Sequence, residues 1–127
     1  MTDKVHHPSS LPELQVLFSG NTYVAVDFFA DWCPPCKQIA PIWTKLAEQH
    51  GVNGQLAFAK VNVDHAQDVA RAYRITAMPT FMFFKDGKQV AVHGQAMIQG
   101  ADPRALMAAA EKLGGLATKR AAEAGKA

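Results

Sequence analysis

The 127-residue chain predicts an α/β domain, with a central mixed sheet that carries helices on both faces. Three observations point there. "YVAVDFF" (Tyr23 to Phe29) is almost unbroken in its apolar character, as expected of a central strand covered on both sides. Runs of this kind alternate with segments whose apolar residues recur at helical spacing, and strand–helix–strand units favour parallel pairing. "TFMFFKDGKQVAVH" (Thr80 to His93) holds two strand-like runs around Asp86-Gly87, a hairpin signal that adds an antiparallel edge.

Taken in order, Ser10 followed by Glu13 forms a capping box that opens a short helix over Leu14, Val16, Leu17 and Phe18, closed by Gly20 and Asn21. The central strand follows. Pro35 suits a first helical turn, and Ile39, Ile42, Trp43, Leu46 and Ala47 repeat at helical spacing as far as Gly51, with a kink expected at Pro41. "LAFAKVNV" (Leu56 to Val63) reads as a second buried strand, and Ala66 to Tyr73 as a short helix. After the hairpin, Asp102 and Pro103 open a last helix, which Gly114 and Gly115 are expected to end. The expected domain therefore spans 1–115. Residues 116–127, rich in alanine and without large apolar residues past Leu116, are expected to be a helical or disordered extension.

Composition narrows the function. A chain with 49% apolar residues fills one ordinary globular core. Its net charge of +2 comes from 13 basic and 11 acidic residues spread along the sequence, which is no footprint for nucleic acid. The polar start "MTDKVHHPSS" lacks the apolar centre of a signal peptide, and no stretch approaches the roughly 18 apolar residues of a membrane span. A monomer in the cytoplasm is expected.

"DWCPPCK" (31–37) contains both cysteines. In a reducing compartment so close a pair is more often catalytic or metal-binding than structural. It falls where the central strand turns into the long helix, at the carboxyl end of the strand, where open sheets place their sites. Residues three apart in a helix rise about 4.5 Å along it and share a face, so the pair meets the geometric window for a disulfide. Cys33 faces the helix N-terminus, whose partial positive charge and unpaired N–H groups favour a thiolate, which makes it the nucleophile. Cys36, one turn in and expected to be the more buried, is the resolving thiol.

Other readings compete. A tetrahedral zinc site needs four ligands, and His6 and His7 would have to be brought across the fold to complete one. An iron–sulfur cluster would need two chains. An inert buried pair stays open, since free cysteine is often a small core residue. His50, His65 and His93 sit at element ends beside polar residues and are expected to be solvated, with no context for a catalytic base. No metal or cofactor is expected.

"VDFFADWCPPCKQIAPIW", "AKVNVD", "RITAMPTFMFFKDGK" and the later "HG" at 93 and 94 stand in the order and spacing of thioredoxins. From about Val5 to Leu113 the chain resembles that family. The resemblance implies a thioredoxin fold, a protein-disulfide reductase working by dithiol–disulfide exchange, protein disulfides as substrates, and electrons from an NADPH-dependent thioredoxin reductase. Pro34 departs from it, because most thioredoxins carry glycine there; the tandem prolines resemble tryparedoxins and nucleoredoxins. Pro34 and Pro35 each lack an N–H, which removes two possible donors to the Cys33 thiolate.

The same resemblance assigns further residues. Asp27 lies within an apolar strand, where an isolated buried charge is costly, and is expected to serve as the base for Cys36; a solvated edge aspartate is the bland alternative. Lys60 matches the family's partner of that acid, although alone it reads as a snorkelling lysine. Pro79 in "AMPT" matches the family's cis-proline, which would hold the Met78 backbone to pair with an extended client segment. Trp32, Pro34, Pro35 and Gly94 are expected to border the same groove. Asp31, Asp64 and Asp86 read as caps and turn residues. A redox-regulated binding module with little turnover is the alternative to a reductase, and intact Cys33, Cys36, Asp27 and Pro79 favour the enzyme.

Overall fold

The computed structural model describes residues 4–125. Its elements are β1 (Val5–His6), α1 (Leu11–Gly20), β2 (Tyr23–Phe29), α2 (Pro34–His50), β3 (Leu56–Asn62), α3 (Gln67–Ala72), β4 (Thr80–Lys85), β5 (Lys88–Val90), β6 (Met97–Gln99) and α4 (Pro103–Ala124). They form one mixed sheet in the order β1-β3-β2-β4-β5, with β6 also on β4. β1 and β2 both run parallel to β3, and β4 runs antiparallel to β2.

Strand alternation sorts the core into two layers. Tyr23 and Ala25 of β2, with Phe58 of β3 and Phe81 of β4, join Ile39, Trp43 and Leu46 of α2 and Leu106 and Leu113 of α4. Val24, Val26 and Phe28 face the other way and meet Leu14 and Phe18 of α1 and Val69 of α3. Trp43 anchors the first layer: its ring lies 5.1 Å from Phe58 and 5.0 Å from Phe81, and its indole N–H donates to the Ala59 carbonyl at 3.1 Å. Because successive strand residues point to opposite faces, Asp27 follows Ala25 onto the α2 side. Lys60 follows Phe58 onto that side too, in direct register with Asp27.

Helix starts follow from local chemistry. The Ser10 hydroxyl accepts the Glu13 N–H at 3.3 Å, while the Glu13 carboxylate reaches back to Ser9 N–H and Oγ. Cys33 is the N-cap of α2, with Pro34 and Pro35 at its first positions, and Pro41 lies inside the helix without interrupting it. The Asp102 carboxylate caps α4 by accepting the Ala105 N–H at 3.1 Å.

Four expectations are corrected. α4 does not end at Gly114 and Gly115 but runs on to Ala124, with Ala117 in the core. Gly114 serves close packing rather than termination: a Cβ there would stand 2.9 Å from Nδ1 of His50. His50 is accordingly half-buried, not solvated. The second hairpin strand stops at Val90 instead of continuing to His93, and β6 resumes pairing with β4 after a loop at residues 91–96. β1 has no counterpart among the expected strands, since two residues carry no readable alternation. The last two residues of the expected extension lie outside the described residues.

Candidate active site

β2 delivers the chain to the sheet's rim, Ala30 to Trp32 make the turn, and α2 begins at once. Cys33 and Cys36 form a disulfide with Cα atoms 5.3 Å apart, inside the roughly 4.4–6.8 Å range that allows the bond without moving the backbone. The Cys33 sulfur also accepts the Cys36 backbone N–H at 3.2 Å. Prolines fill both intervening positions, so no amide of residue 34 or 35 joins that bond. The two cysteines do not differ in burial as expected: Cys33 is 3% and Cys36 4% exposed. Ala30, Phe29, Val63 and Met78 pack around both, and the Met78 carbonyl oxygen lies 3.7 Å from Cys33 Sγ. Position in the helix separates the cysteines instead, with Cys33 at the N-cap and Cys36 in the first turn.

The Met78–Pro79 peptide is cis. Pro79 is buried, and its carbonyl accepts the Gly100 N–H at 2.8 Å, which ties the loop to the end of β6. Thr80 Oγ1 donates to the Ala77 carbonyl at 2.6 Å. The sequence places Gly94 at this groove as an expectation. Gly94 sits in the 91–96 loop, where Val92 and Gln95 bridge, whereas the glycine bonded beside the cis-proline is Gly100, at φ +92°.

Trp32 stands 65% exposed on the opposite flank. Its indole N–H donates to Asp64 Oδ2 at 2.9 Å, and Asn62 Nδ2 donates to Asp31 Oδ2 at 3.2 Å. Asn62 Oδ1 in turn accepts the Asp64 N–H at 2.9 Å. Asp64 therefore orients Trp32 besides shaping its own turn, a role that its sequence context does not disclose. Pro34 and Pro35 are exposed beside the disulfide.

Behind the disulfide, Asp27 is fully buried, and neither carboxylate oxygen has a hydrogen-bond partner. Burial pushes its pKa up to about 7, while the Lys60 ammonium pulls the other way. That ammonium lies 4.4 Å from the centre of the Phe29 ring. The edge reading of Asp27 is thus excluded: it sits on the central strand between Lys60 and Phe81. Among the described residues no group of three or more His, Cys, Asp or Glu is arranged to hold a metal ion.

A mixed sheet with helices on both faces, and a Cys-x-x-Cys disulfide at a helix N-terminus beside a cis-proline, define a thiol–disulfide oxidoreductase of thioredoxin fold. The Thioredoxin family profile matches residues 13–112, and the chain belongs to the thioredoxin family. It is 71% identical over 120 residues to a thioredoxin-like protein of Fusarium culmorum, covering 94% of this chain and 99% of that one. It is 55% identical over 125 residues to a thioredoxin of Neurospora crassa, covering 98% of each. Its fold superposes on the crystal structure of the Malassezia sympodialis thioredoxin with a TM-score of 0.77 at 35% identity, over 89% of this chain and 93% of that one. The activity is protein-disulfide reduction.

Proposed function

We propose that Cys33 attacks a client disulfide and that Cys36 resolves the resulting mixed disulfide, with Asp27 accepting the Cys36 proton. The observation that supports this order is the position of the Cys33 sulfur at the N-cap of α2, 3.7 Å from the Met78 carbonyl oxygen, whereas Cys36 lies within the first turn. The Cys33 thiolate attacks one client sulfur, forming a Cys33–client bond and releasing the other as thiolate. Cys36 then loses its proton and attacks Cys33, which frees the second client sulfur and leaves the Cys33–Cys36 disulfide. Two electrons and two protons pass to the client. A carboxyl group that titrates near 7 holds the transferred proton about as readily as it gives it up, which is what a base working at neutral pH requires.

The client segment pairs in extended form with the Met78 backbone, between Trp32 on one flank and Gly100 on the other, with Pro34 and Pro35 at its edge. The oxidised protein is recycled by an NADPH-dependent thioredoxin reductase, and it works as a monomer in the cytoplasm. That compartment accords with using the only two cysteines as one active pair. Among the described residues no helix is long and apolar enough to cross a membrane.

Trapping tests the order of attack. Cys36→Ser should accumulate mixed disulfides with clients on Cys33, identified by alkylation and peptide mapping, and Cys33→Ser should abolish turnover. Clients mapped to position 36 in Cys33→Ser would reverse the assignment. Reduction by NADPH with thioredoxin reductase, compared with glutathione, identifies the electron source.

A further inference from the structure

The parallel strands β1, β3 and β2 end at one rim of the sheet, and two of them leave it in opposite directions. β2 continues into α2, which packs on one layer, while β3 continues into α3, which packs on the other. In open α/β sheets ligands bind in the crevice outside the strand carboxyl ends at such a switch. Here the crevice is a cavity of about 330 Å³, lined by Pro8, Phe29, Asp31, Lys60, Asn62 and His65. It adjoins the dithiol through Phe29, which also packs on the cysteine cluster, yet the exchange reaction leaves the cavity itself without a role.

Its chemistry is asymmetric. The titratable groups facing it are His7, Asp31, Lys60 and His65. Lys60 rests over the Phe29 ring, and the carboxylate it interacts with is that of buried Asp27, beside it on the neighbouring strand, so its ammonium still lines the cavity. The His65 ring has no partner among the described residues, while Asp31 already accepts a hydrogen bond from Asn62. The apolar wall is the Phe29 ring, Pro8 and Ala66. We propose that this crevice binds a carboxylate carried on a short apolar stem, with the Lys60 ammonium and the His65 imidazole taking the carboxylate and Phe29 and Pro8 taking the stem. Asp31 limits the charge it accepts, so a monoanion fits better than a dianion. Two sources share this chemistry: a free small organic acid, and a glutamate side chain of a client segment, the second of which rests on the exchange reading above.

Amide NMR of the full chain, titrated with butyrate and with butyramide at fixed ionic strength, tests the site without turnover. Butyrate should give saturable shifts at Phe29, Lys60, Asn62 and His65, and butyramide should not. Lys60→Met should abolish the response, and His65→Glu should weaken affinity about two- to fivefold, the size of one partly solvated charge contact. A non-saturating response, an equal response to butyramide, or unchanged binding in Lys60→Met overturns the proposal; should that variant not fold, unchanged binding in His65→Glu does so. Disulfide peptides with Glu or Gln beside the cysteine separate the sources. A lower KM for the Glu peptide, lost in His65→Glu, identifies a client side chain, and equal KM values with butyrate bound identify a free acid. Failure of turnover altogether would strike the exchange reading and leave the butyrate result standing.

Discussion

The Cys33 sulfur accepts a single amide hydrogen, that of Cys36 at 3.2 Å, because prolines occupy both positions between them. A helix N-terminus normally offers several unpaired N–H groups to an anion. Here two of them are deleted by the sequence, and in the proposed attack by Cys33 the thiolate would depend on the third. Pro34→Gly restores one donor. A hydrogen bond to a charged acceptor contributes about 1.5–3 kcal/mol, so this variant should hold a clearly larger thiolate fraction at neutral pH. Ultraviolet thiolate absorbance followed across a pH titration measures it, and an unchanged curve would remove the donor argument.

Asp27 costs stability in proportion to its ionisation. Its folded pKa of about 7 stands above the ordinary aspartate value of 3.8, so the unfolded state releases the proton first as pH rises. The penalty is absent below the unfolded value, grows between the two, and levels off above the folded one. Asp27→Asn should therefore stabilise the fold by about 1–4 kcal/mol near pH 8 and by little near pH 4, while client reduction slows. Denaturant midpoints at the two pH values, set beside reduction rates, check both halves. A destabilised variant with normal turnover would make Asp27 structural.

Gly100 and Gly94 both have positive φ, at +92° and +77°. Alanine at either position should therefore destabilise the fold by about 1 kcal/mol. Only Gly100 donates to the Pro79 carbonyl, so only Gly100→Ala should also raise KM for a protein disulfide. Equal kinetic effects would place the 91–96 loop in the groove after all.

A Cβ at position 114 would meet His50 Nδ1 at 2.9 Å and His50 Cβ at 3.2 Å. The second contact is close to the His50 backbone and cannot swing away. Gly114→Ala should destabilise the fold by about 1–3 kcal/mol through overpacking, read as a lower Tm. In a His50→Ala background the same substitution should become stabilising by up to about 1 kcal/mol, because alanine is the better helix former. No change of sign would mean that the two helices do not meet there.

The legible parts of the fold are those with a strong period. β2, β3 and α2 are visible because their apolar residues follow one pattern over seven or more positions. β1 and β6, with two and three residues, are strands only because β3 and β4 offer open edges to them. The end of α4 is misplaced by the sequence for a related reason: Gly114 looks like a terminator along the chain, and its real cause, the His50 side chain, lies on another helix. The site divides in the same way. Cys33, Cys36, Asp27 and Pro79 announce themselves by type and motif. Asp64 and Gly100 do not, because the first is defined by a bond to Trp32, 32 residues away, and the second by a bond to Pro79.

The unbroken course of α4 has a practical side. The helix is capped by Asp102, two residues after the Gly100 amide that holds Pro79, and its 22 residues from Pro103 carry the chain about 33 Å along the axis, at 1.5 Å each. From Thr118 onward its residues have left the core, with only Ala121 partly covered. The end of α4 at Ala124 is thus a stiff stalk whose root lies beside the cis-proline at Pro79 and whose tip is remote from it. A bead, an electrode surface or a fluorophore attached at that tip would leave the redox end of the molecule facing outward, with its approach to folded substrates unobstructed.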